Sequence, residues 1–181
     1  MANVSDRIDP KLAGWILGQP VFFVATAPLA ADGRVNCSPK GLAGTLAVLD
    51  ERTVAYLDLT GSGVETVAHL RENGRIVLMF CAFAGRPRIV RLHGRGEPVL
   101  PGDPRFGELA GRFSQHPGVR AVVRVEVDRV ADSCGYAVPL MDFVGDRDVL
   151  DMWAHKKGER RLVTYRAAKN AASIDGLPGL P

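Results

Sequence analysis

The stretch from Leu57 to Phe80, LDLTGSGVETVAHLRENGRIVLMF, carries the chain's densest set of groups able to grip an anion. Gly61 and Gly63 allow a close backbone approach to a ligand. Thr60, Ser62 and Thr66 supply hydroxyls, and a helix opening beyond them points unpaired amides and a partial positive charge at a phosphate. Ser62 and Glu65 stand in capping-box register, the Ser62 side chain reaching the Glu65 amide and Glu65 reaching back. From the turn alone two readings stand: a plain capped helix start, or a phosphate site in which some cation offsets Glu65. A second candidate is Lys40, after Pro39, either an exposed turn lysine or an ammonium that stabilises negative charge on a neighbouring group.

Short strands and a few helices must position these residues. Lys11 to Gln19 reads as an opening helix, with Leu12, Trp15 and Ile16 at helical spacing and Pro20 as its stop. Val21 to Ala27 and Val35 to Ser38 read as a strand pair joined through an Ala31-Asp32-Gly33 corner. Thr45 to Leu49 and Thr53 to Leu59 follow, then a helix from Val64 to Glu72 ended by the left-handed signal Asn73-Gly74. Arg75 to Ala82 is a buried strand; Arg88 to Gly96 is another, with Ile89, Arg91, His93 and Arg95 on one face. Asp103 to Ser114 has helical spacing. Val119 to Val130 alternates cleanly, Val123, Val125 and Val127 opposite Arg124, Glu126 and Asp128. A last helix is expected from Asp146 to Lys157, before a glycine- and proline-rich tail.

Six or seven hairpin-connected strands, with one helix inserted mid-sheet, predict a mainly β (α+β) fold: a closed or nearly closed antiparallel barrel with peripheral helices. Regular strand–helix alternation is missing, which disfavours a doubly wound sheet. The 181 residues suit one domain over 1–181, large enough to bury a core without disulfides or metals. No apolar run approaches a membrane span, and the N-terminus lacks the apolar core of a signal peptide. Cys37, Cys81 and Cys134 form no CxxC spacing, so a reducing, cytoplasmic setting is expected. The net charge of +3 is scattered, which argues against nucleic acid as a partner. His69, His93, His116 and His155 show no metal-ligand clustering, and no metal is expected.

The succession GRVNCSPKG, YLDLTGSGVETVAHLRENGRI, MFCAFAGRPRIVRLHGRGE and SCGYAVPLMDF resembles the pyridoxamine 5'-phosphate oxidase-like flavin-binding split barrels, over about Val21 to Pro178. That resemblance implies a homodimer of six-stranded split barrels with flavin mononucleotide (FMN) in two grooves along the subunit interface. Asn36, Cys37 and Ser38 would run beside the flavin ring, with Lys40 nearby as the electrostatic, catalytic residue. Thr60, Gly61, Ser62 and Thr66 would hold the ribityl phosphate, neutralised by Arg88 or Arg91. The second subunit would close the groove with Trp153 or Tyr136, while Arg91 and Arg95 alternatively serve as interface partners.

The chain departs from true pyridoxamine phosphate oxidases, which end with an arginine and histidine pair gripping the substrate phosphate. This chain ends SIDGLPGLP with neither, which argues against pyridoxal phosphate synthesis. The implied activity is a flavin-dependent oxidation or reduction of a small molecule. The alternatives are the deazaflavin F420 on the same barrel, or a non-catalytic flavin or haem carrier or sensor.

Overall fold

A computed structural model describes residues 3–181. Eight strands, rather than six, form one antiparallel sheet: β1 (Asn3–Ser5), β2 (Phe22–Thr26), β3 (Asn36–Lys40), β4 (Leu46–Asp50), β5 (Thr53–Leu59), β6 (Arg75–Cys81), β7 (Ile89–Val99) and β8 (Val119–Ser133). The order is β3-β2-β6-β7-β8-β5-β4, with β1 pairing the far end of β8. The class is the mainly β architecture expected, and the extra strands are short edge pieces. No ladder joins β3 to β4. The split falls there.

Side-chain alternation explains the layers. Val123, Val125 and Val127 of β8 point into a core shared with Val24, Tyr56, Leu78, Phe80 and Leu92, and Ile16 closes it from α1 (Pro10–Leu17). Alternate residues of β5 enter a second cluster, Ala55 and Leu57 with Val99 and Val122, covered by Phe106 and Leu109. Burial on both faces makes β5 the most enclosed strand.

α2 (Glu65–Asn73) packs against β2, β6 and β7. Its expected stop is present: Gly74 sits at φ 71° and bonds back to the Leu70 carbonyl. Its expected start is not, because Val64 is the N-cap and no side chain caps it. The capping box fails because Glu65 turns instead to the Ile174 amide, 3.3 Å away. Two other helices differ from expectation. α3 is only Phe106–Ala110 rather than Asp103 to Ser114, consistent with the helix-weakening Gly107 and Gly111. α4 runs Val149–Lys169, past the expected end at Lys157, because it breaks at Gly158 (φ 69°) and resumes. Residues 134–148, between β8 and α4, form a largely exposed strap without regular structure.

Candidate functional site

The turn between β5 and α2 is shaped by bonds to its carbonyl side. Thr60 is anchored at both ends: its amide and hydroxyl donate to the Gly118 carbonyl, at 2.9 and 2.6 Å. Asn170, fully buried after α4, donates from Nδ2 to the carbonyls of Gly61 (2.9 Å) and Ser62 (3.3 Å). Arg120 adds a bond from Nη1 to the Gly61 carbonyl at 3.3 Å. With these carbonyls held inward, the amides of Gly61, Ser62, Gly63 and Val64 have no hydrogen-bond acceptor among the described residues. Ser62 and Gly63 are exposed. Successive free amides at a helix entrance form a cradle of the kind that can receive an anion.

Beneath the turn lies a charged network. Asp58 has no solvent exposure, yet it receives Lys40 Nζ at 3.2 Å and Arg120 Nε at 2.7 Å. Burial alone would push the Asp58 carboxyl up, but the two cations and their hydrogen bonds outweigh it and hold it below the usual carboxylate range. Burial and the neighbouring Asp58 charge push the Tyr56 phenol up. Arg166 donates to Thr60 Oγ1 at 2.9 Å and to the Val119 carbonyl at 3.3 Å. Arg120 and Arg166 are therefore the cations behind the cradle.

A second network ties β3 to α2. Asn36 Nδ2 donates to Thr66 Oγ1 at 3.0 Å and to Thr26 Oγ1 at 3.3 Å, while Ser38 Oγ donates to Asn36 Oδ1 at 3.1 Å. Thr26 Oγ1 lies 2.9 Å from Nδ1 of His69, whose ring is fully buried and whose Nε2 has no partner among the described residues. Burial lowers the His69 pKa, partly opposed by Glu72, Asp175 and Glu65. Asn36, Ser38 and Lys40 share one face of β3; Cys37, on the other, is exposed.

The structure thus gathers Asn36, Ser38, Lys40, Thr60, Gly61, Ser62 and Thr66 around the turn and its first helical residues. Arg88 and Arg91 lie elsewhere. Arg88 grips Asp132 (2.6 Å) and lies over the Trp15 ring, and Arg91 reaches Ser133 at 3.4 Å. Those partners are at the end of β8 opposite Val119, and no hydrogen bond or ion pair joins either arginine to the turn among the described residues. Within its own chain, then, neither arginine neutralises the cradle. Trp153 packs edge-on against Tyr165 and beside Lys157, and Tyr136 is exposed near Arg88.

Sequence reading missed Asp58, Arg120, Arg166 and Asn170. Asp58 carried a usable signal, a charge in an otherwise apolar strand. Asn170 and Arg166 carried none, because their targets lie more than a hundred residues earlier in the chain.

The profile of the pyridoxamine 5'-phosphate oxidase family matches residues 8–134. The chain belongs to this family. A curated family member, the pyridoxamine 5'-phosphate oxidase family protein UstO of Aspergillus flavus, is 41% identical, over 97% of this chain and 76% of UstO. HupZ of Group A Streptococcus superposes with a TM-score of 0.51 at 25% identity, covering 68% of this chain and 91% of HupZ. An FMN-binding protein from Syntrophomonas wolfei superposes at 0.50 and 15% identity, over 72% of this chain and 86% of its own. The family profile ends before α4, so Arg166 and Asn170 brace the turn from outside the matched segment.

Proposed function

We propose that the whole chain is one flavin-binding domain that uses FMN to oxidise or reduce a small organic molecule. The observation carrying this reading is the cradle of free amides at Gly61 to Val64, braced from behind by Asn170, Arg120 and Arg166. The donor set suits a phosphate monoester: several amides and the Ser62 hydroxyl, with the charges of Arg120 and Arg166 behind them. Along β3 the Asn36–Ser38 backbone has no further ladder on its outer side among the described residues, so its amides and carbonyls can meet the polar edge of the flavin ring. The bond between Asn36 and Thr66 ties the β3 edge to the first turn of α2.

The cofactor supplies the redox chemistry when bound. Lys40 contributes positive charge near the ring; one of its donors is already given to Asp58, which fixes its direction. Asp58 in turn holds Lys40 and Arg120 in place through its two oxygens. In this reading the protein is a homodimer, the second copy covering exposed apolar residues such as Leu140, Val144 and Met152 and closing the groove with Trp153 or Tyr136. Three free cysteines suit a cytoplasmic setting.

Purified protein is expected to be yellow, and Ser62→Glu or Thr66→Glu to strip the colour. Titration of the apoprotein with FMN and with F420, followed by fluorescence, tests the cofactor directly. A protein that takes up neither would overturn the proposal. Tighter binding of F420 would replace FMN, and flavin uptake without turnover on a broad substrate panel would favour a carrier.

A further inference from the structure

A pocket of about 780 Å³ opens beside the end of β3, separate from the amide cradle. Its wall begins at Gly41, next to Lys40, and is built from Phe23, Leu42 and Phe83, with Met141 and Phe143 contributed by the strap. The size is that of a pocket for a drug-sized molecule. The strap is fastened over it by two bonds, Met141 N to the Phe83 carbonyl (2.8 Å) and Ala43 N to Asp146 Oδ2 (3.0 Å).

Two features mark the pocket as more than a packing gap. Leu42 takes φ 73°, and no other described residue except glycine has positive φ. Such strain persists where surrounding structure enforces it, and it concentrates at ligand sites. Here the buried Thr45 enforces it, its hydroxyl donating to the carbonyls of Gly41 (2.8 Å) and Leu42 (2.9 Å). The second feature is charge. In a chain with a net charge of +3, the charged residues lining the pocket are Asp142 and Asp146, with no lysine, arginine or histidine among them.

We propose that this pocket receives the substrate, and that the substrate is an organic cation with an apolar, aromatic-sized body. Phe23, Phe83 and Phe143 take the body, and aromatic faces favour a cation as well as an apolar surface. Asp142 and the oxygen of Asp146 not bonded to Ala43 take the charge. As a cation-binding site the pocket stands on its own lining; as the substrate site it rests on the flavin reading, because Gly41 in its wall directly follows Lys40.

Three probes sharing one ring system test it: 1-naphthylmethylamine, 1-naphthylmethanol and 1-naphthoate, titrated calorimetrically into FMN-loaded and flavin-free protein. The amine is expected to bind about fivefold or more tighter than the alcohol, with the carboxylate weakest. Asp142→Asn with Asp146→Asn is expected to erase the preference for the amine while FMN uptake is unchanged. Equal affinities for the three probes in wild-type protein would overturn the proposal without recourse to any variant. So would failure of every probe with flavin uptake intact. A Phe143→Asp variant that turns a dimer into monomers and only then binds the amine would overturn it too, by showing that a second copy fills the pocket. The same probe ranking in a protein that takes no flavin would keep the cation pocket and remove its description as a substrate site.

Discussion

Lys40 Nζ stands 3.2 Å from Oδ1 of Asp58, a carboxylate without solvent exposure. The pair is asymmetric, because Asp58 has Arg120 as a second cation whereas Lys40, 22% exposed, has no other anion among the described residues. Asp58→Ala leaves two cations facing a buried hole and is expected to cost about 3–5 kcal/mol, read from urea unfolding. Lys40→Met leaves the Asp58–Arg120 bond intact and is expected to cost about 1–2 kcal/mol. In flavin-loaded protein the same Lys40 variant should lower the flavin potential. An unchanged potential would remove Lys40 from the proposed chemistry.

Asn170 tests whether the cradle is held open from behind. Its amide fixes two carbonyls of the turn, so Asn170→Ala is expected to cost about 1–3 kcal/mol of stability. Loss of loop order should also weaken FMN binding about tenfold, seen in the dissociation constant from flavin fluorescence. Stability loss with unchanged affinity would show that the turn keeps its shape without this brace.

His69 sets a pH dependence. Its folded pKa lies below the ordinary 6.5 because of burial, so below that pH the unfolded chain binds a proton that the folded ring resists. Stability is therefore full above about pH 6.5 and falls as the pH drops through the folded value. The carboxylates facing His69, Glu72, Asp175 and Glu65, soften the fall, and His93, also lowered by burial, adds to it. His69→Gln should flatten the slope in this window, in thermal melts across a pH series. Asp58 acts lower down: its stabilisation is present above about 3.8 and is lost as pH falls below that.

Gly94 sits at the β-bulge where β7 changes register against β8. A Cβ there would lie 1.9 Å from the Glu126 carbonyl oxygen, so Gly94→Ala must push two strands apart. The expected loss is on the order of 3 kcal/mol in chemical denaturation. A near-neutral result would show that the bulge can migrate.

The fold was legible where a local rule has one solution. Val123, Val125 and Val127 alternate against charged neighbours and form the core face of β8, and Asn73-Gly74 ends α2 as a left-handed cap. Legibility failed where a distant group competed. Ser62 and Glu65 have capping-box spacing, but the Ile174 amide draws Glu65 away, and spacing cannot register a partner 109 residues on. The surroundings of the turn were hidden for the same reason. Arg88 is near in sequence, but Asp132 holds it, while Arg120 and Arg166 arrive through a strand and a helix that fold back.

The unpaired outer edge of β3 raises a question of self-association. An open strand edge invites another chain to add a strand, which leads to runaway aggregation. β3 reads Asn-Cys-Ser-Pro-Lys: Pro39 has no amide to give an incoming strand, and Lys40 adds charge. The edge that the proposed flavin would meet is thus poorly suited to another backbone. Replacing Pro39 with a β-forming residue such as valine should leave the barrel folded yet make concentrated solutions of it turbid.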